Sequence, residues 1–323
     1  MKRKSSGLCC LVAIDKPLGL SSHDVVSRVR HVLGETRVGH AGTLDPLASG
    51  VLVLGVGQAT RLMGLLTLDE KCYEARISFG YETKTDDAEG EITHRVEPDE
   101  RLFDADFARQ TLADLVGDCL QVPPAYSAIS LDGKRAYARA RAGEKVVLAP
   151  RHIHIYEAEL LSIENEDNQP VWRCHFRVSK GSYIRALARD LGRSLDSAAH
   201  LSGLIRTASG LISLKNCVSL DELSCQGKEL LADNELDPAR TLGLPVRLLE
   251  QAELEDIVCG RKIPAGLVLD LDEDTAQNAL RAPKFSERIS LVWKNKLYGV
   301  WECRGSYLLC DTNFPQGVTG VRA

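Results

Sequence analysis

His40-Ala41-Gly42-Thr43-Leu44-Asp45-Pro46-Leu47-Ala48-Ser49-Gly50 decides how the rest of this chain is read. One carboxylate, Asp45, stands between two glycine-containing turns, with a histidine five residues before it and a proline directly after. Glycine tolerates positive φ, and the residue before a proline is pushed out of the α region. Gly42, Pro46 and Gly50 therefore make the segment a shaped loop rather than an ordinary helix. Functional residues concentrate on such loops when a rigid scaffold carries them.

The scaffold can be read outward from the loop. Val51-Leu52-Val53-Leu54 is a continuous apolar run, typical of a central strand. Upstream, residues 11–15 read as a buried strand. Ser21 or Ser22 can cap a helix over about 23–33, whose stripe is Val25, Val26, Val29, Val32 and Leu33; Gly34 ends it. Downstream, Tyr73, Ala75, Ile77 and Phe79 alternate with polar residues in a strand ending at Gly80. Thr83 to Gly90 is turn-like and acidic, and a helix follows over 104–116. Strands are expected over 152–161 and 171–178, and a helix over about 182–195 carrying Ile184, Leu187, Ala188, Leu191 and Leu195 on one side.

Strands and helices mix without a βαβ rhythm, which favours an α+β fold with a central mixed sheet over a doubly wound one. Pro238, Gly243 and Pro245 mark a boundary between 235 and 250. Beyond it, Ile289–Trp293, Leu297–Cys303 and Ser306–Leu309 read as short strands, with Asn295-Lys296 and Arg304-Gly305 as turns. The expected division is a catalytic domain over 1–240 and a small β-rich domain over 247–323.

With 323 residues, 44% hydrophobic and 26% charged, the chain has the composition of a soluble globular protein. No apolar run approaches the roughly 20 residues needed to cross a bilayer. The basic start Met1-Lys2-Arg3-Lys4 is followed by a strand and Asp15-Lys16-Pro17 rather than by a cleavage site, so a cytoplasmic protein with a short disordered start is expected. None of the ten cysteines forms a C-x-x-C pair, and no histidine cluster accompanies them, so buried free thiols are expected and zinc is not. Gly55-Val56-Gly57 lacks the further glycine and lysine of a phosphate-binding loop.

The net charge of −5 argues mildly against a nucleic-acid partner, but its distribution is uneven. Lys134, Arg135, Arg139, Arg141, Lys145 and Arg151 face only Asp132 and Glu144. Arg177, Lys180, Arg185, Arg189 and Arg193 face a single acid, Asp190. Two basic segments flanking one candidate site favour a polyanionic substrate.

Four segments in order resemble the pseudouridine synthases of the TruB family. They are Ile14-Asp15-Lys16-Pro17-Leu18-Gly19-Leu20-Ser21-Ser22, the Asp45 loop, Val122-Pro123-Pro124-Ala125-Tyr126-Ser127-Ala128 with Gly133-Lys134-Arg135-Ala136-Tyr137 behind it, and Val178-Ser179-Lys180-Gly181-Ser182-Tyr183-Ile184-Arg185 followed by Leu204-Ile205-Arg206. The resemblance spans most of residues 11–210. It implies conversion of uridine 55 in the T-loop of tRNA to pseudouridine, with Asp45 as the catalytic aspartate and Arg185 as its partner. It also assigns Tyr73 as the base that removes the C5 proton and as a stacking ring. Tyr183 and Leu204 match positions lining the uridine pocket. His40 matches the residue that props the RNA loop open, Asp87 falls on an acidic position near the site, and Lys16 fixes the loop beside the substrate. Lys84 stands where relatives often carry an acid. Gly260-Arg261-Lys262-Ile263-Pro264-Ala265-Gly266, near the start of the C-terminal module, resembles a PUA-type RNA-binding domain, although a generic small β-barrel fits nearly as well.

The chemistry explains the residue types. The C1′–N1 bond breaks, the uracil rotates, and C5 joins the sugar. That needs one placed carboxylate, as nucleophile or base, and exclusion of water, but no redox partner, metal or other cofactor. An ordinary aspartate, with pKa near roughly 3.9, is ionised at neutral pH, and an adjacent arginine keeps it so. A uridine in a folded loop must first be extruded, at a cost of a few kcal/mol that stacking in the pocket offsets. Lys134, Arg135, Arg139 and Lys180 are expected on the RNA backbone, where contacts add affinity with little sequence information. The expected partner is tRNA through its T-arm, with no membrane, no obligatory protein partner and a monomeric enzyme. Two rival readings are a guide-RNA-dependent synthase of the archaeal and eukaryotic branch and a tRNA-folding chaperone that acts by binding alone. Pro46-Leu47 favours the stand-alone branch, because the guided branch usually has lysine after the proline.

Overall fold

In the computed structural model, which describes residues 6–67, 70–127, 129–131, 133–144, 146–271 and 280–322, the elements begin with β1 (Leu11–Lys16), α1 (Ser22–Leu33), β2 (Val38–His40), β3 (Ala48–Val56) and α2 (Met63–Leu66). Next come β4 (Lys71–Phe79), β5 (Tyr81–Thr83), β6 (Ile92–Arg95), α3 (Ala105–Ala113) and β7 (Gly117–Gln121). Two short strands, β8 (Ser130–Leu131) and β9 (Lys134–Arg135), precede α4 (Ala136–Arg141). Then follow β10 (Arg151–Glu166), β11 (Gln169–Val178), α5 (Ile184–Ser194) and β12 (Ala199–Ser209). The fold is α+β with a mixed sheet and a β-rich C-terminal region, as expected.

Two compact units divide the chain. The first comprises residues 1–44, 51–68 and 210–323; the second comprises 45–50 and 69–209. In the first, β1 pairs in parallel with the Cys217–Ser219 strand, and β2 runs antiparallel to the end of β3. Ser21 caps α1 through a reciprocal capping box with Asp24, and Gly34 closes it in the left-handed conformation. Val25, Val26, Val29 and Leu33 enter a buried cluster with Val12, Ile14, Leu52 and Leu54. The C-terminal segment of the same unit forms a seven-stranded sheet. Val292, Leu297, Phe314 and Val318 of that segment share a buried cluster with Leu11, Val53 and Leu62. The expected division near 240–247 thus separates stretches of chain that share one core.

Both hairpin turns of this segment lie one residue from the expected positions. Lys294-Asn295 and Gly305-Ser306 make them, with positive φ at Lys294 and Gly305. All ten cysteines are free, but Cys225, Cys259 and Cys310 are exposed, so the expected burial fails for these three. Among the described residues no helix is long and apolar enough to cross a membrane.

The second unit orders its strands as residues 48–50 of β3, then β12, β4, β11, β10 and β7. β12 runs parallel to β3 and antiparallel to β4, which makes this sheet mixed. One face carries Tyr73, Ala75, Ile77 and Phe79 beside Trp172, Cys174 and Phe176, all buried. Phe79 meets Trp172 edge-on at 4.9 Å, and the Trp172 indole donates to the Leu102 carbonyl at 2.7 Å. Helix α5 buries Ile184, Leu187, Ala188 and Leu191. The acidic stretch 83–90 is turn-like, as expected, and joins β5 to β6 in a hairpin.

Candidate active site

Asp45 lies in the loop that leads into β3, and its carbonyl accepts the Ala48 amide at 3.0 Å. The parallel register Leu204↔Ala48 and Arg206↔Gly50 places the carboxylate three residues ahead of the first β3–β12 pair. Gly50 has φ +102°, and a Cβ there would fall 2.2 Å from the Arg206 carbonyl oxygen. Only glycine fits that approach.

Arg185, in the first turn of α5, uses all three nitrogens of its guanidinium. Nε lies 2.9 Å from Asp45 Oδ2. Nη1 lies 3.3 Å from Asp87 Oδ2 and donates to the Thr85 carbonyl at 3.0 Å. Nη2 donates to the Tyr126 carbonyl at 3.0 Å. A planar fork held on three sides has one orientation, which is why lysine could not replace it. Asp87 is itself buried, and its Oδ1 accepts from the Thr85 hydroxyl and the Glu89 amide. The sequence resemblance paired Arg185 with Asp45; the structure adds Asp87 on the opposite side of the same cation.

Tyr183 is the N-cap residue of α5, with extended backbone. Gln121, at the end of β7, accepts the Tyr183 amide at 2.8 Å and donates to its carbonyl at 3.1 Å, so one buried side chain clamps both backbone groups. Burial pushes the Tyr183 phenol above its ordinary range, against the opposing pull of Arg151 and Arg185; Asp45 adds to the rise. Tyr73 is buried on β4, opposite Phe176 on one side and Arg206 on the other. Leu204, half-buried on β12, sits between Ala48 and Ala75. Tyr73 is thus two strands from residues 48–50, about 9–10 Å across the sheet.

His40 and Lys16 belong to the first unit. His40 ends β2 opposite Leu54 and is half-buried. Lys16 is fully buried and donates to the Pro17 and Leu20 carbonyls at 2.9 and 2.6 Å, closing the turn before α1. In the same unit the Ser22 hydroxyl accepts the Leu44 amide at 2.7 Å and donates to the Leu44 carbonyl at 3.0 Å, fixing the residue next to Asp45.

Of the residues expected on RNA, Lys134 and Lys180 are exposed. Arg139 is engaged by Glu144 at 2.7 Å. Arg135 lies in β9, with its side chain outside the described residues, as are Asp132 and Lys145. The arginines of 177–193, expected to hold phosphates, take carboxylate partners within the protein. Arg177 pairs with Glu70 and Glu157, Arg189 with Asp86 and Asp190, and Arg193 with Glu82. Sequence reasoning also missed Gln121, Ser22, Asp86 and Arg189. Only the i, i+4, i+8 spacing of Arg185, Arg189 and Arg193 signalled a shared helix face.

Solved structures with this fold include the archaeal box H/ACA sRNP Nop10–Cbf5 complex, at TM-score 0.67 and 20% identity over 94% of this chain and 85% of that one. A Cbf5–Nop10–Gar1 complex matches at TM-score 0.66 and 22% identity, over 96% and 85%. The fold shared with these complexes carries, in this chain, a loop carboxylate held by a buried arginine. Residues 30–184 match the model for the N-terminal domain of TruB family pseudouridylate synthases. Proteins named tRNA pseudouridine synthase B are 44% identical: that of Mycobacteroides abscessus over 287 residues, 87% of this chain and 95% of the relative, and that of Thermobifida fusca over 261 residues, 79% and 87%. The chain belongs to the TruB family.

Proposed function

We propose that this protein converts uridine 55 in the T-loop of tRNA to pseudouridine, with Asp45 as the reacting carboxylate. The observation that carries the reading is Arg185 locked between Asp45 and Asp87, with the Asp45 carboxylate left 41% exposed to meet a substrate. The name borne by the relatives supports tRNA as the substrate class.

An extruded uridine enters beside Asp45 and stacks on Tyr73, while Tyr183 and Leu204 line the pocket. Asp45 starts cleavage of the C1′–N1 bond, either by attack at C1′ or by taking the C2′ proton. Arg185 holds the carboxylate in the required direction. The uracil turns, C5 bonds to C1′, and Tyr73 serves as the base that removes the C5 proton while N1 gains one. His40 props the opened RNA loop, and Lys16 fixes the adjoining turn. Lys134, Arg135, Arg139 and Lys180 meet phosphates, and residues 247–323 act as a PUA-like RNA-binding module. The protein acts as a cytoplasmic monomer with no guide RNA or protein partner.

The test is incubation of the protein alone with an unmodified tRNA transcript, followed by pseudouridine mapping at single-nucleotide resolution. Conversion at position 55 is expected. Binding without conversion would leave only a chaperone, and conversion only with an added guide RNA would move the chain to the guided branch.

A further inference from the structure

We propose that Arg189 and Asp86 are positioning residues for the Asp45 site, acting through the neighbouring Arg185–Asp87 pair. The inference rests on the function proposed above. Arg189 lies one helical turn after Arg185 on α5, and Asp86 directly precedes Asp87, so two adjacent rungs join the same two segments. In the first rung Arg185 reaches Asp87 Oδ2 at 3.3 Å and the Tyr126 carbonyl at 3.0 Å. In the second, Arg189 Nη1 reaches Asp86 Oδ2 at 2.8 Å while Nη2 donates to the Val122 carbonyl at 2.8 Å. Arg189 turns its Nε to Asp190 at 2.8 Å. All three of its nitrogens are therefore committed to protein groups other than Asp45.

The second rung is nearly dry, with side-chain exposures of 10% and 13%. A third rung, Arg193 with Glu82, is far wetter on its arginine side at 57%. Asp86 also holds φ +62°, a left-handed conformation that aspartate and asparagine adopt more readily than other non-glycine residues. Its amide donates to the Thr83 carbonyl, and its carbonyl accepts the Leu201 amide from β12. Burial pushes the Asp86 carboxyl upward against the pull of Arg189 and Arg185. Without Arg189 the Asp86 carboxylate would have to leave or neutralise. Asp87 is its chain neighbour and would shift with it, carrying Arg185 away from the direction that aims Asp45. Misplacement of a reacting group by about 1 Å costs about 100-fold in rate.

The experiment compares wild type, Arg189→Met, Asp86→Asn and the double variant on an unmodified tRNA transcript. It reads the single-turnover rate constant and tRNA affinity separately. Asp86→Asn keeps a residue that tolerates positive φ, and so carries the test if Arg189→Met fails to fold. The rate constant is expected to fall about 10- to 100-fold with affinity within about threefold of wild type. Where the double variant folds, its rate should be no lower than that of the slower single variant, as for residues acting in one unit. A wild-type rate constant in Asp86→Asn would overturn the proposal, as would parallel losses of rate and affinity. If wild type itself forms no pseudouridine, the proposed function fails and takes this inference with it; an active wild type beside an equally active Asp86→Asn removes this inference alone.

Discussion

Arg185 Nε lies 2.9 Å from Asp45 Oδ2, and the two side chains differ sharply in exposure, 7% for the arginine and 41% for the aspartate. The cation is fixed inside the protein, while the anion faces outward. Here the arginine is anchored by the Thr85 and Tyr126 carbonyls and by Asp87, and its Nε is turned to the loop carboxylate.

Replacing Asp45 by asparagine keeps the size of the side chain and removes its charge. Asp45→Asn should bind tRNA within about threefold of wild type and lose about 100- to 10,000-fold or more in single-turnover conversion. Conversion by that variant at the wild-type rate would remove Asp45 from the chemistry.

Gln121 holds both backbone groups of Tyr183 from a buried position. Truncation leaves those groups without their partner, so Gln121→Ala should lower the unfolding free energy by about 1–3 kcal/mol. Urea denaturation measures this directly. An unchanged midpoint would show that the clamp contributes nothing.

At Gly50, backbone conformation and space agree: φ is +102°, and an added Cβ would meet the Arg206 carbonyl. Gly50→Ala should cost about 1–3 kcal/mol from the conformation alone, with displacement of β12 in addition. Its melting temperature should drop, and conversion should fall with it because Asp45 leads into the same strand.

Glu82 accepts from Arg193 Nε and Nη2 at 2.7 and 2.6 Å, and this holds its carboxyl below the ordinary value of 4.5 against the opposing effect of burial. A depressed acid stabilises the folded state fully above its unfolded pKa and loses that contribution as pH falls through the folded one. Glu82→Gln should therefore be less stable than wild type at pH 7, with the difference shrinking below about pH 4.5. A difference that stays constant into strong acid would contradict the pairing.

Charge reversal at two basic positions tests the RNA footprint. Lys134→Glu combined with Arg135→Glu should weaken tRNA binding and reduce the slope of log affinity against log salt by about 1–2, the scale of losing one or two phosphate contacts. Equal affinity at low salt would reject these positions as backbone contacts.

The elements most legible in the sequence are those built from local signals. Helix α1 shows its Ser21 cap, its valine stripe and Gly34 within a few residues of one another. Strand β4 shows its alternation, although it starts at Lys71 rather than Tyr73. Strand β12 escaped notice, because Ala199–Ser209 has no clean period and becomes a strand through β3 and β4 on either side. The turn at 83–90 was legible, but the short strands β5 and β6 beside it were not; that turn is held to β12 through Leu201.

The sequence by itself determined which side chains are available for chemistry, because the string around Asp45 and the Lys180–Arg185 string each sit within one short segment. Only the tertiary structure decided what the charges do. Arg177, Arg185, Arg189 and Arg193 read alike along the chain, yet each takes protein carboxylates as partners, those of Arg185 and Arg193 lying 98 and 111 residues away at Asp87 and Glu82. Helical spacing reveals that Arg185, Arg189 and Arg193 share a face of α5. Whether that face meets phosphate or carboxylate depends on which distant segment folds against it, and local sequence carries no record of that choice.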